Sequence, residues 1–100
     1  MTDLPLLMSA LSDPTRLGAL LILWDGQERC VHEMMEQLGT TQSRMSRHMH
    51  ALKDAGLVVS RRDAQWVCYR KNPDLHPQIR KIVEAVIAAA ASNGGKARAA

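Results

Sequence analysis

The side chains with the clearest chemistry in this sequence lie in residues 41–57. Met45 and Leu52 recur at a helical spacing, with His48 or Met49 between them, which predicts one buried helical face. The opposite face carries hydroxyl, amide, guanidinium and imidazole groups, which hydrogen-bond to phosphates and base edges. We therefore predict a helix that packs on a core with one side and reads DNA with the other. The predicted DNA-reading set is Thr41, Gln42, Ser43, Arg44, Ser46, Arg47 and His48.

The segment before this helix predicts how it is held. Residues 31–38 form a short amphipathic pattern, and Gly39 ends it. Thr40 or Thr41 then caps the next helix by accepting a hydrogen bond from its free backbone N–H groups. Two helices joined by a short turn that contains Gly are typical of a helix-turn-helix.

The segment after this helix predicts a β-hairpin. Two β-prone runs, at residues 57–62 and 65–70, flank a short connection at residues 63–64, although a slightly longer loop is the alternative because Ala tolerates tight turns poorly. A basic hairpin directly after a recognition helix is a wing. Arg61, Arg62 and Gln65 are therefore predicted to reach a DNA backbone or minor groove.

Positive charge is concentrated on these two elements. The formal net charge is +3, but residues 41–71 hold seven Lys or Arg against two Asp or Glu, whereas residues 1–40 hold two against six. A polyanionic partner is expected for such a surface, and an ordinary solvated face is the alternative.

Length and composition exclude several classes of protein. One hundred residues predict one small domain, here residues 1–92, followed by a disordered tail at 93–100. No apolar run is long enough to span a membrane and no signal-peptide pattern opens the chain, so we expect a cytoplasmic protein with Cys30 and Cys68 as thiols. Neither cysteine has an evident base or pocket beside it, so enzyme activity is not expected.

The remaining helices predict a dimer. Apolar patterns indicate helices at residues 4–11, 14–24 and 74–92, with Asp13 as the cap of the second. The first and last carry more aliphatic surface than one subunit covers, which favours a twofold dimer over purely intramolecular packing. The predicted interface is Leu4, Leu7, Met8, Ile79, Ile82, Val83 and Val86. The predicted fold class is therefore mainly α with a small antiparallel β wing, a winged helix-turn-helix that dimerises through its first and last helices.

These motifs resemble those of the ArsR/SmtB family of bacterial winged-helix repressors over residues 4–86. The resemblance is carried by residues 11–17, Ser43, residues 46–49, 55–58 and 61–70. It implies a homodimer on an imperfect inverted repeat, which represses transcription until an inducer binds and the DNA is released.

Neither usual metal site of the family carries over completely. The three thiol positions of arsenic-sensing members correspond here to Cys30, His32 and Met35, so one thiol remains where arsenite favours three. The final-helix site of zinc-sensing members begins like Asp74 and His76 but lacks its later ligands. Asp74 is instead expected to cap a helix, and His76 to lie on the surface.

Cys30 and Cys68 remain as inducer candidates. The extended link before a helix-turn-helix usually joins the second wing strand, which would bring the two sulfurs together. Such a pair can bind a trivalent arsenical, hold a soft metal ion with His32, or form a disulfide. The alternative is two unrelated cysteines, because Cys68 faces outward if Val67 and Tyr69 face the core.

The sequence thus predicts a dimeric, sequence-specific DNA-binding repressor. No cofactor is required, and a thiol-reactive species, a trivalent arsenical or another soft metal or metalloid, is the predicted inducer. A redox-responsive repressor that uses Cys30 and Cys68 is one alternative, and a winged helix that binds an acidic protein partner is another.

Overall fold

Five helices and a three-stranded sheet alternate along residues 3–92, which are the residues that the structure, a computed structural model, describes. The predicted tail at 93–100 lies outside them. In chain order the elements are α1 (Leu4–Ala10), α2 (Pro14–Leu23), β1 (Arg29–Cys30), α3 (Val31–Leu38), α4 (Gln42–Asp54), β2 (Val58–Asp63), β3 (Trp66–Lys71) and α5 (Pro77–Ser92).

Local capping interactions explain where the first two helices begin. The Asp3 carboxylate accepts a hydrogen bond from Leu6 N at 3.1 Å at the start of α1. The predicted cap of α2 is confirmed, since Asp13 Oδ2 accepts from Thr15 N at 2.8 Å and Arg16 N at 3.0 Å. These bonds satisfy amides that have no partner inside the helix.

The turn between α3 and α4 has the predicted chemistry. Gly39 ends α3 in the left-handed region at φ 64°, and the Thr41 hydroxyl accepts from Arg44 N at 3.2 Å. The predicted helix over residues 41–57 is too long, because α4 ends at Asp54. Gly56 takes φ 78°, which turns the chain out of the helix and into β2.

The wing is an antiparallel sheet with strand order β1–β3–β2. Each hairpin strand begins one residue later than predicted, and Asp63 pairs with Trp66 across a two-residue turn. Ala64 occupies that turn with φ 55°. β1 adds to the other side of β3, with Arg29 opposite Tyr69 and Cys30 opposite Cys68. The expected third strand is therefore confirmed.

The core lies between the helices and the inner face of the sheet. Its largest apolar side chains, each 2% exposed or less, are Leu7, Leu20, Leu23, Met34, Met45, Met49, Leu52, Leu57, Val58 and Val83. The inner face of α4 thus packs on the core, as its spacing predicts. Tyr69 closes the sheet side, and burial raises the pKa of its phenol, which stays neutral at physiological pH.

The last helix begins later than the sequence predicts. α5 starts at Pro77, and His76 precedes it: Gln78 N donates to His76 Nδ1 at 3.1 Å and Arg80 N to its carbonyl at 2.9 Å. Asp74 is not the cap, because α5 begins three residues later, at Pro77; its backbone N–H is held by the Asn72 side chain at 2.9 Å in the preceding turn.

Candidate nucleic-acid interface

The outer face of α4 presents most of the predicted DNA-reading side chains. Ser46 is half-buried, while five others are exposed: Thr41, Gln42, Ser43, Arg44 and Arg47. Arg44 and Arg47 are three residues apart and therefore neighbours on the helix surface. Because Met45 and Met49 are fully buried on the other side, the orientation of this face is fixed by packing.

His48 is an exception within the predicted set. Its Nδ1 lies 3.0 Å from Arg16 Nη1 and 3.8 Å from Asp13 Oδ2, and 19% of its side chain is exposed. The imidazole therefore faces the start of α2. We correct its predicted role: His48 connects the recognition helix to α2 and does not present its side chain to DNA.

Arg16 completes this connection. Its Nε donates to Ala10 O at 2.8 Å and its Nη2 to Ser9 O at 3.0 Å, at the end of α1. One guanidinium thus joins α1, α2 and α4. The sequence pattern identifies Asp13 as a cap but gives no signal that Arg16 and His48 meet, because 32 residues separate them.

A cleft of about 420 Å³ lies between α4 and the wing. Polar and cationic groups from both elements border it, among them Gln42, Ser46, His50, Lys53, Arg62 and Gln65. The cleft is suited to a negatively charged backbone, because guanidinium and ammonium groups bind phosphates and hydroxyl and amide groups donate hydrogen bonds to them. His50 and Lys53 are additions to the predicted set.

Arg61 also borders the cleft, but its guanidinium is engaged elsewhere. Its Nε donates to Glu28 Oε2 at 2.7 Å and its Nη2 to Glu28 Oε1 at 2.8 Å. This hydrogen-bonded carboxylate raises the pKa of Arg61. Arg61 is predicted from the sequence to reach a DNA backbone or minor groove. In this structure it lies within β2, and its guanidinium is paired with Glu28, the residue that precedes β1.

Cys30 and Cys68 are joined by a disulfide in this structure. Cys68 does lie on the sheet face opposite Tyr69, as strand alternation requires, but it is 0% exposed. The alternative of one buried and one unrelated, exposed cysteine is therefore wrong. The expectation that Cys68 faces solvent fails because β1 pairs beside it and places Cys30, to which Cys68 is bonded, directly opposite.

His32 does not complete a metal site with the two sulfurs. Its ring lies on Trp66, with 4.2 Å between ring centroids, and its Nδ1 is buried without a hydrogen-bond partner. Within residues 3–92 no group of three or more His, Cys, Asp or Glu side chains could hold a metal ion. The structure therefore favours His32 as a packing residue beside the pair.

Four of the seven predicted dimer-interface residues keep part of their surface accessible. Leu4 and Met8 on α1 are 51% and 46% exposed, and Ile82 and Val86 on α5 are half-buried. Two exposed leucines that the prediction omitted, Leu6 and Leu21, are each 41% exposed.

The interface role predicted for the other three residues is wrong, because they are buried within the subunit. Leu7 and Val83 are 0% exposed and Ile79 is 8% exposed. Their side chains pack inside one subunit, because α1 and α5 turn their most apolar faces to the subunit's own core.

Comparisons with known proteins agree with this architecture. The model of the "Bacterial regulatory protein, arsR family" matches residues 13–60, from the cap of α2 into β2. The chain is 36% identical over 85 residues to the arsenic resistance transcriptional regulator ArsR2 of Pseudomonas putida, covering 85% of this chain and 74% of that one. It is 37% identical over 78 residues to the arsenical resistance operon repressor of Escherichia coli, covering 78% and 67%.

The chain belongs to the ArsR family. A solved relative supports the fold: the homodimeric winged helix-turn-helix DNA-binding domain Mb0332 from Mycobacterium bovis, with a TM-score of 0.69 and 27% identity over 90% of this chain and 79% of that one.

Membership in the ArsR family assigns the general activity. The protein is a DNA-binding transcriptional repressor of the winged helix-turn-helix type, and its relatives are regulators, not enzymes. No single helix within residues 3–92 is long and apolar enough to cross a membrane; only α1 and α2 taken together, bent by 93°, meet that test of length and composition.

Proposed function

We propose that this ArsR-family repressor binds an inverted-repeat operator as a homodimer and leaves it when a thiol-reactive inducer closes the Cys30–Cys68 pair. The observation that carries this proposal is the pairing of the two cysteines across β1 and β3. The pair lies in the same sheet as the wing. A change at the sulfurs is therefore transmitted directly to an element that meets DNA.

Dimerisation is supported by the apolar surface and by a relative. Leu4 and Met8 leave apolar surface on α1, Ile82 and Val86 on α5 are half-buried, and a solved relative is described as homodimeric. A twofold dimer presents two α4 helices, so each can enter the major groove of one half-site.

A trivalent methylated arsenical is the inducer that we propose, because two relatives are named for arsenic resistance and this chain offers a pair of thiols. The monomethylated compound, monomethylarsonous acid, has two exchangeable arsenic–oxygen bonds. Each thiol of the reduced pair displaces one hydroxide as water, which leaves arsenic bonded to both sulfurs. Two thiols are sufficient for this reaction, whereas arsenite favours three.

Replacing either cysteine tests the inducer site. We expect Cys30→Ser and Cys68→Ser to keep their affinity for operator DNA but to lose release by monomethylarsonous acid, because a single sulfur cannot chelate arsenic. Release would be followed by fluorescence anisotropy of a labelled duplex from the gene's own upstream DNA. A phosphine reductant replaces dithiothreitol, which would itself bind the arsenical. Equal release in the wild type and both variants contradicts the proposal.

Arg44 and Arg62 are expected to contribute differently to DNA binding. Arg44→Ala should relax preference for one base pair by about 1–3 kcal/mol, because base contacts discriminate sequence. Arg62→Ala should weaken binding to all duplexes alike and flatten the dependence of log affinity on log salt by about 1.8 for a dimer, since two phosphate contacts are lost. A panel of single-base operator variants, titrated at several salt concentrations, separates the two effects. Identical profiles for both variants would contradict this assignment.

Oxidation is the second candidate for induction, and the disulfide favours it specifically. A hydroperoxide oxidises one thiolate to a sulfenic acid and releases an alcohol or water; the second thiol then displaces water to form the disulfide. After the phosphine has been removed, treating the reduced protein with hydrogen peroxide instead of the arsenical and measuring anisotropy on the same duplex distinguishes the two inducers. The arsenical and the peroxide each require both cysteines to act.

A further inference from the structure

One transverse row of the sheet connects the cysteine pair to a wing arginine. Arg61 on β2 is opposite Cys68 on β3, and Cys68 is opposite Cys30 on β1. Glu28 lies immediately before β1 and holds the Arg61 guanidinium through two hydrogen bonds of 2.7 and 2.8 Å. The disulfide and this ion pair therefore both link β1 to the hairpin, at the same level of the sheet.

We propose that Glu28 is a positioning residue that holds Arg61 away from DNA phosphates, and that closing the Cys30–Cys68 pair keeps Glu28 in that position. This inference rests on the proposed function, since it describes how the inducer site acts on the wing. In the reduced protein Arg61 leaves Glu28 and binds a phosphate. In the closed state the Glu28 carboxylate occupies the Nε and Nη2 donors through which Arg61 would bind that phosphate.

The geometry supports competition between carboxylate and phosphate. Arg61 borders the cleft between α4 and the wing, so a rotation of its side chain reaches the expected position of a DNA backbone. A guanidinium binds a carboxylate or a phosphate through the same fork of N–H groups. The fork formed by Nε and Nη2 is fully used by Glu28, so it serves one partner at a time.

The pair depends on the disulfide because the strand that follows Glu28 is paired with β3 over only two residues, Arg29 and Cys30. The Arg61 and Glu28 side chains are 58% and 30% exposed, and exposed ion pairs contribute little by themselves. β1 has only two residues. Without the disulfide, holding Glu28 beside Arg61 requires ordering a short edge segment, which costs conformational entropy. With the disulfide, most of that ordering is already in place.

The redox change itself balances with a peroxide as the oxidant. Two thiols and one hydrogen peroxide give one disulfide and two waters, so two electrons pass from sulfur to oxygen. An excess of dithiothreitol reverses the reaction by taking the disulfide into its own ring. The closed and open states can therefore be prepared from one sample of the full chain.

The expected signature is a difference in salt dependence between the two states. If each subunit gains one phosphate contact on reduction, the slope of log affinity against log salt becomes steeper by about 1.8 for the dimer. Reduced protein then binds more tightly than oxidised protein at low salt. The ratio of the two affinities falls by about tenfold between about 50 and 200 mM salt. A loss of stability alone would not produce this change of slope.

Two variants and one matched control test the proposal. Glu28→Gln removes the carboxylate charge that competes for Arg61, and Arg61→Gln removes the guanidinium. Asp25→Asn is the control, because it makes the same change of charge three residues earlier and disturbs an ion pair of the same kind, between Asp25 and Arg29 at 3.2 Å. All are measured oxidised and reduced against the same labelled duplex of upstream DNA.

We expect the wild type and Asp25→Asn to show the slope difference, and Glu28→Gln and Arg61→Gln to show equal slopes in both states. Oxidised Glu28→Gln should bind with the steep slope of the reduced wild type, whereas Arg61→Gln should keep the shallow one. If oxidation changes the salt slope of the wild type and that of Glu28→Gln equally, the proposed role of Glu28 is wrong. The proposed inducer site is not contradicted by that result. A wild type whose affinity is unchanged by both peroxide and arsenical overturns the proposed inducer site as well.

Discussion

Replacing Leu52 with Ala is expected to lower the free energy of unfolding by about 2–5 kcal/mol, because the substitution leaves a cavity under the recognition helix. Leu52 is fully buried on the inner face of α4, in the same core as Met45 and Met49. The apolar contacts of these three side chains hold a helix whose other side is polar throughout. Urea denaturation followed by circular dichroism measures the change, at one protein concentration because a dimer's stability depends on it.

Lys53→Ala provides the matched control for this prediction. Lys53 is the next residue along α4 and is exposed, so its truncation should change the free energy of unfolding by less than about 0.5 kcal/mol. A Leu52→Ala protein that unfolds at the same urea concentration as Lys53→Ala would show that the inner face of α4 is not part of the core.

The sequence predicts the helix-turn-helix well because its signals are local. Asp13, Gly39 and Thr41 each determine a helix end within a few residues of themselves, through a cap or a positive φ. The spacing of Met45 and Leu52 predicts the buried face of α4 for the same reason. The end of α4 is missed because the apolar spacing continues through Ala55 to Leu57, although Gly56 has already turned the chain.

The parts that the sequence could not predict depend on contacts between distant residues. Strand alternation places Cys68 on the correct face of the sheet, but only the arrival of β1 buries it. The pairing of Arg61 with Glu28 follows from the same strand register, which no pattern of charges reveals. Leu7 looks like a dimer contact because α1 is apolar on several sides, and only tertiary packing selects the side that faces the subunit's own core.

The connection from α1 to α4 leads to the second prediction with a large effect. Arg16→Ala is expected to lower the free energy of unfolding by about 2–3 kcal/mol and to weaken operator binding. The substitution removes three hydrogen bonds from one charged group, to Ser9 O, Ala10 O and His48 Nδ1, and hydrogen bonds that involve a charge are the stronger ones. Urea denaturation and anisotropy on the same samples measure both effects.

The loss of DNA affinity is expected because Arg16 joins α4, the helix that enters the groove, to the end of α1, the helix that carries part of the proposed dimer surface. Arg16→Lys should recover little, since a single ammonium group cannot match three acceptors in a fixed fork. His48→Gln in the protein that keeps Arg16 should lose less stability than Arg16→Ala, because the amide oxygen of Gln can still accept from Arg16. Arg70→Ala, at an exposed arginine of β3, is the control for the loss of one positive charge. If Arg16→Ala and Arg70→Ala unfold alike and bind DNA alike, Arg16 is an ordinary surface charge and the recognition helix is positioned by its apolar face alone.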